Sequence, residues 1–96
     1  MENTTRGDSS KAAVLARLDA VRAALKDEPA GPLAMQALAQ CDRLQMAISQ
    51  FHAEGLRFAA FTLLRLTQPP GTSFGEPVRK AAHDLRSALD LAGYPH

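Results

Sequence analysis

The residues of this chain with reactive side chains, one cysteine and three histidines, are not spaced for catalysis or metal binding. Cys41 and His52 would lie about 16 Å apart along one helix, whereas zinc ligands sit about 2.0–2.3 Å from the metal. His83 and Asp84 are neighbours in sequence. On a helix their side chains diverge by about 100°, so the carboxylate cannot orient the imidazole as a base. We therefore predict no enzyme activity, no metal and no cofactor.

One other pattern has a chemical use, an aromatic residue between two arginines. Arg57 lies one helical turn before Phe61, and Arg65 lies one turn after it, so a helix places all three side chains on one strip. Arginine stacks on aromatic rings, and aromatic residues with arginine are enriched in binding hot spots. We predict that Arg57, Phe61 and Arg65 bind another protein.

The elements that position these residues are predicted to be helices, so the fold class is all-α. The chain is 46% hydrophobic and 22% charged, which is ordinary for a globular helical protein. We predict a disordered tail over residues 1–8 and a single helical domain over 9–96, with helices at about 10–27, 33–67 and 76–92. The first and last of these helices each carry one apolar stripe at helical spacing: Val14, Leu18, Val21 and Leu25 in the first, and Val78, Ala82, Leu85, Leu89 and Ala92 in the last.

The predicted long central helix, 33–67, is defined by a repeat of four and three residues that continues without a slip. The repeat consists of Ala37, Cys41, Leu44, Ile48, Phe51, Gly55, Phe58 and Thr62. Gly55 lies within it, which we explain by another helix passing close to its backbone. A chain break at Gly55 is the competing interpretation, disfavoured because no Pro, Ser or Asn follows to start a new helix.

The second half of the long helix has a further apolar face, formed by Leu56, Ala60, Leu63 and Leu64. The two shorter helices, lying end to end and antiparallel along the long one, cannot cover both faces. We therefore predict a homodimer in which these four residues form the interface. If the helix breaks at Gly55, the same segments fold back instead into a compact monomeric bundle.

Charge and length exclude several classes of function. Lys and Arg number 11 against 10 Asp and Glu, and they are interleaved, so we expect no binding to nucleic acid or to anionic membranes. No apolar run is long enough to span a membrane. A single cysteine favours a cytoplasmic protein, and the Ala- and Arg-rich composition is compatible with a bacterial source. The leading hypothesis is a non-enzymatic interaction or adaptor module; the alternative is a small-ligand sensor with a pocket between helices near His52 and Gly55.

Overall fold

The protein forms four helices, as seen in a computed structural model that describes residues 2–50, 52–68 and 73–94, with side chains from residue 10 onward. The helices are α1 (Glu2–Lys26), α2 (Pro32–Gln50), α3 (Ala53–Thr67) and α4 (Glu76–Ala92). The described ranges contain no strand. The predicted all-α class is therefore confirmed.

The helices neighbour one another in the order of the chain. α1 packs against α2 and α4, and α3 packs mainly against α2 and more lightly against α4. In the described part of the chain, α1 and α3 make no contact and lie diagonally opposite each other. Polar contacts fix the ends of the helices: the Gly75 N–H donates to Glu28 Oε2 at 3.1 Å, and Gln68 Nε2 donates to the Arg79 carbonyl at 3.1 Å. This order is that of a four-helix bundle.

The core is built from the predicted stripes of the first and last helices. Val14, Leu18, Val21 and Leu25 are all buried, as are Val78, Ala82, Leu85 and Leu89 of α4. On α2 the buried residues include Ala37, Cys41, Leu44 and Ile48, the first half of the predicted repeat. Phe74, in the connection before α4, is also buried in this core, although its sequence context gave no periodic signal. Periodicity therefore located the core faces of α1, α2 and α4.

The prediction of one helix over 33–67 is wrong, because α2 ends at Gln50 and α3 begins at Ala53. A continuous helix of that length would span about 52 Å, whereas the longest extent of the molecule is 44 Å. α3 instead folds back and packs against α2. The helix is therefore broken three residues before Gly55, and neither the continuous helix nor the break at Gly55 describes it.

α1 also extends over residues 2–8, where the sequence predicted a disordered tail. Met1 lies outside the described residues. Once the packed part of α1 has formed, each further residue adds one backbone hydrogen bond without the cost of a new nucleus. This cooperativity favours the continuation of α1 to Glu2.

The break between α2 and α3 is made by His52. Its N–H donates to the Ala47 carbonyl at 3.0 Å. A hydrogen bond to the residue five positions earlier is typical of a helix C-terminus. The carbonyl of His52 accepts from the Leu56 N–H at 2.8 Å, and its Nδ1 accepts from the Gly55 N–H at 3.0 Å. His52 thus ends one helix and caps the next. This role is not predicted by the usual signals for a helix start, which are Pro, Ser or Asn, although Nδ1 of histidine lies as many bonds from the backbone as the side-chain oxygen of asparagine.

The break changes which side of the helix faces the core. Leu56, Ala60 and Leu63 are at most 4% exposed and Leu64 is 9% exposed, all within one chain. The predicted homodimer interface rested on these four residues being uncovered, and that reason is wrong. Phe58, assigned to the buried repeat, is 63% exposed instead. Phe51 lies outside the described residues.

Gly55 is explained by the same cap and not by a neighbouring helix. A Cβ atom at this position would lie 2.7 Å from His52 Nδ1, closer than two such atoms approach. The glycine therefore leaves room for the imidazole to reach the Gly55 N–H, at a cost of about 1 kcal/mol in helix propensity relative to alanine.

Gly55→Ala is predicted to change stability differently in two backgrounds. In the natural chain, the gain of about 1 kcal/mol in helix propensity is offset by loss of the cap, which contributes about 1 kcal/mol. With His52→Ala already present, the clash is gone and Gly55→Ala should raise the free energy of unfolding by about 1 kcal/mol. Urea unfolding of the four proteins measures the difference. An equal effect of Gly55→Ala in both backgrounds would contradict the contact between the imidazole and Gly55.

Candidate functional site

The exposed side of α3 carries a strip that we name the α3 face: Glu54, Phe58, Phe61 and Arg65. Their spacing of four, three and four residues places them within an arc of about 60° on the helix. Phe58 is 63% and Phe61 is 52% exposed, and Glu54 and Arg65 are exposed as well. The opposite side of α3 is in the core, through Leu56, Ala59, Ala60, Leu63, Leu64 and Thr67. The α3 face is thus directed away from the bundle.

The residues predicted to bind a partner all lie on or beside the α3 face. Phe61 and Arg65 belong to it, and the exposed Arg57 flanks it. The Arg65 guanidinium carbon lies 5.9 Å from the centre of the Phe61 ring, within the range of a cation–π contact. Phe58 is the member that sequence reasoning missed, because the repeat that placed it in the core assumed an unbroken helix.

Two shallow depressions that described residues line adjoin the α3 face. Glu54, Arg57, Phe58 and Phe61 line the first. The second runs between α3 and α4 and is lined by Phe61, Leu64, Arg65, Gln68 and Arg86. The light packing of α3 against α4 leaves this second groove open. Phe61 contributes to both depressions and is therefore the centre of the surface.

Two arginines outside this surface form ion pairs, whereas Arg17 and Arg43 form none with any described residue. Arg22 bonds Asp19 at 2.8 Å and Asp42 at 3.1 Å, and so links α1 to α2. Arg79 pairs with Glu76 at 2.9 Å. Within residues 10–50, 52–68 and 73–94, by contrast, no ion pair involves Arg57, Arg65 or Arg86. Among the described residues, the surface therefore combines two exposed rings with arginines that form no ion pair and one carboxylate, Glu54.

His52 and Asp84, two further candidates from the sequence, have structural roles. His52 is exposed and its Nδ1 is occupied by the Gly55 N–H. Asp84 lies 3.9 Å from Lys80 Nζ, forming an ion pair along α4. No group of three or more His, Cys, Asp or Glu residues that could hold a metal ion occurs among the residues described.

Cys41 is fully buried in the α2 part of the core. Burial raises the pKa of its thiol to about 11. The charge of Arg22 lowers this pKa and that of Asp42 raises it, but both effects are smaller than that of burial. Because the thiolate is the nucleophilic form, the environment of Cys41 suppresses its reactivity.

Comparison of the chain with protein-family models, with curated proteins and with solved structures found no match. Across the described residues, none of the helices combines the length and the apolar character that crossing a membrane requires.

Cys41 in the folded protein is predicted to react slowly with a thiol reagent such as DTNB. With a pKa of about 11, about one thiol in a thousand is ionised at pH 8, against roughly one in four for a free cysteine. We expect labelling of the native protein at pH 8 to be at least about 100-fold slower than labelling in urea. Raising the pH to 9 should increase the native rate about tenfold, since the thiolate fraction rises tenfold per unit below the pKa. Native and unfolded rates that agree would contradict the buried position.

Proposed function

We propose that this protein is a non-enzymatic protein–protein interaction module, and that the α3 face with Arg57 is its contact surface. The observation that supports the proposal is the side-by-side exposure of Phe58 and Phe61 on a helix whose other side is buried. Aromatic side chains with arginine beside them are the usual anchors of protein interfaces. A cytoplasmic, bacterial setting remains part of this proposal on the grounds of composition.

Burial of these two rings would supply a useful binding energy. An aromatic side chain buries about 150–250 Å², and the transfer of apolar surface from water contributes about 25 cal/mol per Å². With about half of each ring already covered, a partner that covers the remainder gains roughly 2–3 kcal/mol per ring. Part of this gain is offset by the cost of association.

The bundle forms its core without the α3 face. Each of the four helices buries its apolar stripe against the others within one chain. The α3 face lies outside that core, so its side chains are available without unfolding of the bundle. A rigid helix of this kind presents its contacts with little loss of conformational freedom, which favours binding.

The sensor hypothesis draws less support from the geometry. Its pocket was placed between helices near His52 and Gly55, but the His52 side chain is exposed and caps α3. A thermal-shift panel of metabolites tests this alternative. A metabolite that stabilises the natural chain and not His52→Ala would favour the sensor over the interaction module.

Phe61→Ala is predicted to abolish partner capture without unfolding the protein. Leu91, 89% exposed on α4, lies beside a groove that residues of α1 and α4 line, so Leu91→Ala is the matched control. We expect circular dichroism and melting temperature to change little for either variant. A partner identified by mass spectrometry should bind Phe61→Ala at least about tenfold more weakly, as expected for a hot-spot aromatic residue.

The control decides how that pull-down is interpreted. Retention of the partner by Leu91→Ala, with loss by Phe61→Ala, assigns binding to the α3 face. If Phe61→Ala captures the same partner with unchanged affinity, or if both variants lose it equally, the proposed surface is wrong.

A further inference from the structure

We infer that the partner of the α3 face is the α3 face of a second copy of this chain, with the two α3 helices antiparallel about a two-fold axis. In this pairing, Glu54 lies opposite Arg65 of the second copy, and Phe58 lies opposite its Phe61. The inference rests on the proposed function, because it names the occupant of the same surface.

The spacing of the α3 face is that of a helix-pairing seam. Glu54, Phe58, Phe61 and Arg65 follow one another at four, three and four residues, as the a and d positions of paired helices do. All four side chains are exposed, so a second helix can lie along them without displacing any part of the bundle. A helical partner therefore fits the surface better than an extended one.

The order of these residues makes the face self-complementary. A two-fold interface is isologous, so that if residue i contacts residue j, then j also contacts i. An axis that passes between residues 59 and 60 pairs 54 with 65 and 58 with 61. Along one helix the order is Glu, Phe, Phe, Arg, and along the antiparallel helix beside it the order is Arg, Phe, Phe, Glu. Each charge thus meets its opposite, and each ring meets a ring.

Charge selects the antiparallel arrangement over the parallel one. A parallel pair would place Glu54 against Glu54 and Arg65 against Arg65, and like charges face to face oppose association. Arg65 has no ion pair within the described residues. Arg86 lines the same groove as Arg65 and adds positive charge where Glu54 of the second copy would arrive.

The position of α3 in the bundle leaves room for a second copy. α1 is diagonally opposite and does not contact α3 in the described ranges, and α4 packs against α3 only lightly. The strip extends about 16 Å along the helix axis, which gives an interface at the small end of specific contacts. A concentration-dependent dimer, with a dissociation constant in the micromolar range, is the expected strength.

This dimer differs from the one that the sequence suggested. The earlier expectation used Leu56, Ala60, Leu63 and Leu64, which the chain itself covers. The pairing inferred here uses the opposite side of α3 and leaves those four residues in the core. It therefore requires no rearrangement of the monomer.

Charge exchange tests the pairing through the dimer dissociation constant, measured by sedimentation between about 1 and 500 µM. Glu54→Arg alone and Arg65→Glu alone should each weaken the dimer by about tenfold or more, because the two-fold axis applies each change twice. The double variant Glu54→Arg with Arg65→Glu should recover at least about threefold in affinity over either single variant, but not the whole loss, because Arg86 stays unchanged opposite position 54. Arg17→Glu, an exposed charge on α1, is the matched control and should leave the affinity unchanged.

A cross-link tests the register. When Glu54→Cys and Arg65→Cys are mixed, a short bismaleimide should join the two different chains at least tenfold faster than it joins either variant to itself. The mixed dimer keeps one natural contact between Glu54 and Arg65, and Cys41 is buried and does not compete. Equal rates in the mixture and in either single variant would indicate another orientation and overturn the inference.

These measurements separate this inference from the proposed function. A natural chain that stays monomeric to 500 µM, or a double variant that fails to recover, overturns the self-pairing. If a different protein then binds in a manner that depends on Phe61, the interaction module still stands with another partner. A dimer that the charge exchange restores supports both statements together.

Discussion

The hydrogen bonds of His52 are the constraint on which the rest of this structure depends. Through its N–H the residue closes α2 at Ala47, and through its carbonyl and Nδ1 it opens α3 at Leu56 and Gly55. The first N–H groups of a helix have no partner within that helix, and the imidazole supplies one. A chain that would otherwise continue as one helix is thereby able to reverse its direction.

The reversal allows α3, which has apolar side chains on two sides, to bury them. In a straight helix, the side that carries Leu56, Ala60, Leu63 and Leu64 would have faced water. Folded back on α2, the same residues are buried, and the Thr67 hydroxyl, buried at the end of α3, donates to the Leu63 carbonyl at 2.7 Å. The break interrupts one helix, but it allows the core to be completed within a single chain. The α3 face is the side of α3 that stays exposed in this arrangement.

Polar contacts between helices help to fix the positions of the helices around the apolar core. Arg22 joins Asp42 and Gln45 on α2, and Glu28 accepts from the backbone at the start of α4. The Ser73 and Glu76 pair, whose spacing matches a capping box, does not cap α4, because the N-cap is Gly75, which has no side chain to bond the first turn. Glu28 supplies the acceptor from a distant part of the chain instead. Such long-range substitutes for local caps are not visible in sequence patterns.

The sequence predicted those features that depend on spacing within one helix. The stripes of α1 and α4 follow from residues three and four apart, and so does the strip that joins Arg57, Phe61 and Arg65, because a local spacing holds wherever the helix begins. Phe58 was placed wrongly because its assignment carried the phase of α2 across the break at His52. The break itself depends on an uncommon cap, since histidine is rarely counted among residues that start helices. Burial of the four residues proposed for a dimer was missed for the same reason.

The distance between spin labels on α2 and α3 tests the central claim, that the chain reverses at His52. Labels on cysteines introduced at Gln36 and Arg65, in a Cys41→Ala background and diluted with unlabelled protein, report the distance within one chain. Two antiparallel packed helices, with axes about 8–10 Å apart, place these labels within about 20 Å of each other. A single continuous helix would separate them by about 44 Å. The account predicts the short distance, and a distribution centred near the long one would contradict it.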